Sequence, residues 1–277
     1  MYVYRLLEYS KVIGRMIGLA AGALPVRCRS EYSGWHRSMR IKIINPNTTA
    51  TFTELSLNAG RAVAAPGTQI LAGQPSSGTG SVECHVDEAV ATVGVIEQVQ
   101  AGEADRVDGY VIACFGDTGL DAAREVAAGP VVGMTEAALY AAALIAPVFS
   151  IVTLPRRTRI FAERVVWHAG LDRRCAKIRA IDVDVLDCED ETSRVFDAFV
   201  AEATRAIEED HAEAIILGCA GLEPLVGPLV EKLGVPVIEG VAAAVKMVEA
   251  LLAMRLSTSK AGAWGYPLRM PVTGPAA

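Results

Sequence analysis

The 277-residue sequence has no block of basic residues, no apolar run of membrane-spanning length and no CxxC pair. Each absence removes a class of function. Nucleic-acid binding needs Lys and Arg clustered on one face, whereas this chain carries a net charge of -6 without such a cluster. Crossing a bilayer needs roughly 18 consecutive apolar residues, so no membrane partner is expected. There are six cysteines, Cys28, Cys84, Cys114, Cys175, Cys188 and Cys219. Their spacings fit neither a disulfide framework nor a zinc site. Reduced thiols, a cytoplasmic protein and no bound metal are therefore expected. Histidine is scarce as well: His36, His85, His168 and His211. His36 lies in an N-terminal extension, and His168 and His211 lie on or beside helices. His85 follows a Gly-rich loop, from which it could reach a cleft.

What is present is a globular composition, 52% apolar and 21% charged, with ample length for one or two domains. Two stretches repeat one another. Asp108–Gly119 reads DGYVIACFGDTG and Glu213–Gly221 reads EAIILGCAG. In both, an acidic residue leads an apolar run, a cysteine follows six residues after the acid, and a glycine stands two places later. The following X-Pro strands also match, with Pro130 and Pro236 falling 16 and 17 residues after Cys114 and Cys219.

Residues 1–38 differ from the remainder of the chain. Arg5, Lys11 and Arg15 precede an apolar piece, Met16–Val26, and a polar stretch with Arg27, Arg29 and Arg37. A positive start and a short apolar region mark a signal peptide. No small-residue cleavage site follows, and the reading preferred is an appended segment with Met39 as the natural first residue. From there strand and helix signals alternate. Strands are expected at Ile41–Ile44, Thr68–Ala72, Pro130–Gly133, Val148–Thr153, Ile178–Val183 and Pro236–Ile238, and before each repeated cysteine. Helices are expected near 51–64, 83–100, 120–127, 158–169, 190–209 and 225–233. The 83–100 helix carries Val86, Ala89, Val90, Val93 and Ile96 at helical spacing. Val241–Leu256, apolar almost all round, reads as a helix buried against neighbours on both sides. The last stretch, Lys260–Ala277, reads as a tail.

The alternation predicts an α/β fold of two similar lobes, each a mostly parallel sheet flanked by helices. The lobes are related by a pseudo-two-fold duplication, with the active site in the cleft between them. The first lobe is expected to span 39–133, with 239–277 returning to it, and the second 134–238.

Ligands in open α/β sheets sit at the carboxyl ends of strands, where the pattern places Cys114 and Cys219. A helix start after each would stabilise a thiolate, and Gly116, Gly119 and Gly221 would let backbone amides approach an anion. Cys28, Cys84, Cys175 and Cys188 read as space fillers. Two thiols facing one cleft could form a redox couple, serve a thiol hydrolase, or act as acid and base on opposite faces of a carbon centre.

From Met39 to about Pro267 the chain resembles the aspartate/glutamate/hydantoin racemase superfamily, most closely its hydantoin and allantoin racemases. The resemblance rests on IKIINPNTT, VDGYVIACFGDTGLDAAREV, GPVVGMTEAAL, FSIVT-LPR, AIEED, AIILGCAG, LGVPVIEGVAAAVK and TSK at Thr258–Lys260. It implies a cofactor-independent isomerase, a homo-oligomer, acting on a small molecule of hydantoin or allantoin type. It also implies that Cys114 and Cys219 are the racemising acid and base. Position and resemblance together make Asn47, Thr48, Ser76, Phe115, Gly116, Thr118, Thr135, Ala220 and Gly221 the candidate substrate-binding residues. Helix capping is the competing role for Asn45, Asn47 and Thr48, and likewise for Asp117, Thr118 and Thr135. The site loops hold no Arg or Lys clamp, the nearest bases being Arg124, Arg156 and Arg157, which favours a neutral ring over a dicarboxylate. An aspartate/glutamate-type racemase, a maleate-type isomerase and a non-catalytic cleft-binding protein are the alternatives.

Overall fold

The computed structural model describes residues 38–188 and 192–268. The expectations for residues 1–37 and for the tail beyond 268 lie outside the described residues.

The first half runs β1 (Met39–Ile44), α1 (Ala50–Val63), β2 (Thr68–Gly73), α2 (His85–Ala104), β3 (Gly109–Ile112), α3 (Leu120–Val126) and β4 (Val131–Gly133). The second runs α4 (Met134–Ile145), β5 (Phe149–Thr153), α5 (Arg159–His168), β6 (Cys175–Ala180), α6 (Thr192–Asp210), β7 (Ala214–Gly218), α7 (Val226–Leu233), β8 (Val237–Ile238) and α8 (Gly240–Ala253). Two four-stranded sheets result, ordered β2-β1-β3-β4 and β6-β5-β7-β8. All strand pairs are parallel. The two orders are the same when β5–β8 are counted as first to fourth, so the repeat seen in the sequence is a repeat of topology. Strands β3 and β7, which lead to the two cysteines, are buried at every residue. That suits central parallel strands covered by helices on both faces.

The two X-Pro strands end in helices that cross between the lobes. Helix α4 leaves β4 of the first sheet and packs on β7 and β8 of the second, whereas α8 leaves β8 and packs on β1, β3 and β4 of the first. The two helices also pack on each other. The sequence pattern assigned no element to 134–147, because MTEAALYAAALI is apolar with little periodicity to read. In the structure Met134, Ala138, Leu139 and Ala142 are buried, and Tyr140, Leu144 and Ile145 are exposed.

Three further differences have local causes. Helix α2 forms, but its valine stripe does not face the sheet: Val86, Val90 and Val93 are exposed. The buried face is Ala91, Gly94, Val95, Val99 and Gly102. Close approach decides this, since a Cβ at Gly94 would meet the Pro75 ring at 2.7 Å and one at Gly102 the Tyr110 ring at 2.6 Å. Strand β6 is Cys175–Ala180 rather than Ile178–Val183. Its Arg179 is buried, with Asp210 at 2.6 Å and Glu209 at 2.7 Å neutralising it, so a charged residue serves inside an edge strand. Helix α8 packs on both α1 and α4 and on the first sheet, with Val241, Ala244, Val245 and Val248 buried, but it is not buried all round, since Lys246 is exposed.

Candidate active site

Each sheet brings the carboxyl ends of its two central strands to the crevice between the lobes, as expected where the strand order reverses. From β1 come Asn45 and Asn47, and from β3 Ala113, Cys114 and Phe115. Leu154 and Thr158 follow β5, and Gly218, Cys219, Ala220 and Gly221 close β7. Together with Phe52, Val82 and Val185 they line one small cavity of about 50 Å³. Val82 and Val185 sit on the loops after β2 and β6, the equivalent connections of the two lobes. These loops meet over the site, with Leu186 lying 3.9 Å from where a Cβ at Gly80 would stand. No basic residue lines the cavity.

Cys114 and Cys219 both belong to that lining, and both are half-buried free thiols. Their surroundings differ. The Cys114 thiol is pushed up to about 12, chiefly by burial, and further by the charges of Asp117, Cys219 and Glu88; a contact with the Thr118 hydroxyl at 3.5 Å works against this. Burial also raises the Cys219 thiol, as do the charges of Glu239 and Glu83, but the backbone amides of Gly221 and Ala220 face its sulfur and pull it down. The expectation that a following helix would leave both thiols acidic is therefore corrected: burial outweighs it at each. After Cys114 the helix begins only at Leu120, too far along to help, whereas Cys219 is itself the N-cap of a 3-10 run, Ala220–Leu225.

The other predicted residues divide by place. Asn47, Phe115, Ala220 and Gly221 line the cavity. The Asn47 side-chain oxygen accepts from Asn45 Nδ2 at 3.0 Å and from the Thr49 amide at 2.9 Å. That orients the Asn47 side chain, whose Nδ2 is then its remaining donor. Asn45 is fully engaged, since its Nδ2 also reaches the Thr49 carbonyl and Thr53 Oγ1, each at 3.0 Å. Thr48 is turned to the neighbouring loop, where both its amide and its hydroxyl bond the Thr79 carbonyl. Ser76 is exposed to solvent away from the cavity. Gly116, Thr118 and Thr135 lie behind Cys114, and the buried Thr135 hydroxyl accepts from the Gly116 amide at 2.7 Å.

Phe52, Val82, Leu154, Thr158 and Val185 are the lining residues that the sequence did not single out. They belong to a helix face and to turns whose approach to the cysteines depends on the lobes coming together. His85 does not reach the thiols: it is exposed, stacked edge-on against Phe161 at 5.2 Å and paired with Glu88. A larger open groove of about 1340 Å³ runs along the outer side of the Cys114 loop, past Gly116–Leu120, Tyr140, Arg164 and Trp264. Neither cysteine lines it; both line the smaller cavity. Among the described residues no cluster of His, Cys, Asp or Glu could hold a metal ion, and no helix is long and apolar enough to cross a membrane.

The family model for Asp/Glu/hydantoin racemases matches residues 41–248. The chain belongs to the Asp/Glu/hydantoin racemase family. A family member named hydantoin racemase, from Rhizobium meliloti, is 46% identical over 230 residues, covering 83% of this chain and 95% of the relative. Another, from Pseudomonas sp. (strain NS671), is 42% identical over 236 residues, covering 85% and 95%. A solved structure of the same family, allantoin racemase from Klebsiella pneumoniae, is 49% identical with a TM-score of 0.83, and the match covers 86% of this chain and 97% of that one.

Proposed function

We propose that the protein is a racemase of 5-substituted hydantoins or allantoin, in which Cys114 and Cys219 transfer protons at the ring carbon without a cofactor. The observation that carries this reading is one cavity lined by a thiol from each lobe and by no basic residue. A ring held between the lobes offers one face to each sulfur. One cysteine, as thiolate, takes the proton from the ring carbon, and the electron pair moves into the adjacent carbonyl to give an enolate. The other cysteine, as thiol, then donates a proton from the opposite face. The centre is inverted, the first sulfur has gained a proton and the second has lost one, and the mirror reaction restores the starting pair.

The raised thiols suit a weak carbon acid. A thiolate whose conjugate acid lies near 12 is a stronger base than an ordinary thiolate, at the cost of being less populated at neutral pH. The amides of Ala220 and Gly221 make Cys219 the better-supported thiolate. Asn47, a lining residue whose Nδ2 is its remaining donor, would donate to the enolate oxygen, the group where charge develops. Phe52, Val82, Leu154 and Val185 give the cavity apolar walls that would receive a ring substituent and exclude water. The absence of a lysine or arginine from the lining disfavours a substrate with a free carboxylate.

The test is to incubate each enantiomer of a hydantoin, and separately of allantoin, with the protein in D2O. Optical rotation and deuterium entry at the ring carbon are followed together. Rotation should decay with concurrent deuteration of the product. Rotation and deuteration at the buffer rate with every ring tested would refute the assignment.

A further inference from the structure

The loop that carries Cys114 is tied to α4 by a buried carboxylate and by a threonine hydroxyl. Asp117 is buried, with a left-handed backbone at φ 54°. Its Oδ1 accepts from the Thr135 amide at 2.8 Å and its Oδ2 from the Glu136 amide at 2.9 Å. Those are the second and third residues of α4, so Asp117 caps that helix from a different segment of chain. The Thr135 hydroxyl bonds the Gly116 amide and also supports the Asp117 carboxylate. Within the loop the Asp117 amide bonds the Cys114 carbonyl at 3.0 Å, and Thr118 reaches the Cys114 sulfur.

The second lobe caps its equivalent helix another way. Glu239 is itself the N-cap of α8, and its two oxygens accept from the Val241 and Ala242 amides at 2.8 and 2.7 Å. The matching N-cap in the first lobe is Gly133, and a Cβ there would fall on the Asp117 carboxyl. So the first lobe has a residue without a side chain at the cap, and the carboxylate is supplied by the cysteine loop. A cap residue of the ordinary kind would satisfy the helix and leave the loop untied. Capping alone does not call for this arrangement.

We infer that Asp117 is a positioning residue of the reaction: by lending its carboxylate to the N-terminus of α4, it holds the Cys114 sulfur in place across the cavity from Cys219. This rests on the two-thiol reading above. The carboxylate also acts through charge. Burial and Glu136 push Asp117 up to about 7, so it changes charge in the neutral range, and its ionised form opposes a thiolate at Cys114. The other charged or titrating groups near the loop are Glu136 on α4, Arg124 on α3 paired with Glu136 and with Asp121, Glu88 on α2 paired with Arg164 of α5, and Cys219.

Two variants separate the tether from the cap. Asp117→Asn removes the charge and one acceptor. The double substitution Asp117→Gly with Gly133→Asp returns a carboxylate to the helix cap but removes the carboxylate tie of the loop, leaving only the Gly116 amide on the Thr135 hydroxyl. A misplacement of about 1 Å costs on the order of 100-fold in an oriented reaction. Asp117→Asn should therefore lower kcat by about 10- to 100-fold with KM changed by less than about threefold. Iodoacetamide modification of Cys114, followed by peptide mass spectrometry across pH, should move to lower pH by about one unit because the opposing charge is gone. The double variant should regain the wild-type urea midpoint while its kcat stays low. Wild-type kcat in the double variant would overturn the inference, since capping would then be all that Asp117 does. So would Asp117→Asn with an unchanged kcat and an unchanged alkylation profile. The alkylation profile does not depend on racemisation, so it reports on the loop even if the two-thiol reading fails.

Discussion

The two cysteine loops grow from equivalent strands, yet each is held by different means. After β7 the chain turns at once into a 3-10 run, and two backbone amides face the Cys219 sulfur. After β3 the loop wanders through left-handed positions at Gly116, Asp117 and Gly119 before α3 begins. Cys114 receives a threonine hydroxyl and a neighbouring carboxylate instead of amides. Just before the cysteine, the second lobe needs Gly218, where a Cβ would collide with Thr153, whereas the first carries the buried Ala113. Topology repeats because the strands must pack; the loops can diverge because few contacts constrain them. A duplicated scaffold can in this way set two chemically identical side chains to different proton affinities.

The largest effect expected from breaking that pair is loss of either thiol. Cys114→Ser and Cys219→Ser should each lower racemisation by about 100- to 10,000-fold, the usual worth of an acid or base. Each variant should still exchange deuterium into one enantiomer, and opposite enantiomers for the two variants. Racemisation by Cys114→Ser at the wild-type rate, read by optical rotation, would end the two-thiol account.

Next in size is pH. A working pair needs one thiolate and one thiol, and burial raises both groups. Initial kcat/KM should therefore climb by up to about tenfold per pH unit above neutrality, until the first macroscopic ionisation of the pair. A profile flat from pH 7 to 9 would show that the base is a thiol acidified below neutrality, contrary to the effect of burial.

Gly218→Ala tests the steric difference between the loops. Its methyl group must displace Thr153, whose hydroxyl bonds the Gly218 carbonyl at 2.9 Å. Overpacking of this kind costs about 1–3 kcal/mol, measurable by urea unfolding. Ala113→Gly in the other lobe has no such clash to create and should cost about 1 kcal/mol or less.

The smallest effect concerns the two cap carboxyls. Burial raises Glu239 to about 7, against an unfolded value near 4.3. Between those values the native state holds more protons than the unfolded chain, so stability falls as pH rises through that window. Glu239→Gln should flatten the slope between about pH 4.5 and 7 and cost about 1 kcal/mol as a weakened cap at acidic pH. Urea midpoints measured across the window check both. An unchanged slope would show that Glu239 does not contribute to it and that other raised carboxyls, Asp117 and Glu136, do.

Much of the scaffold was legible because periodicity and glycine placement are local signals. The strand before each cysteine, the amphipathic α6 with Val195, Phe199 and Ala203 inward, and the crevice location of both thiols follow from patterns a few residues long. Family resemblance pointed to the same two thiols. What escaped were features decided by close approach. The valines of α2 face outward because Gly94 and Gly102 let the other side lie against Pro75 and Tyr110. Ser76 looked like a site residue from its loop, but the loop tip turns to solvent. Phe52, Val82, Leu154 and Val185 carried no signal, because an apolar residue beside a site reads the same as one in a core.

The sequence by itself determined a duplicated α/β chain with a cysteine at the carboxyl end of each matching strand, because alternating apolar runs and glycine turns leave little choice of local structure. Only the tertiary structure decided how the two thiols differ. Burial, amide contacts and a carboxylate borrowed from loop to helix depend on residues far apart in the chain, and proton affinity answers to those neighbours rather than to sequence order.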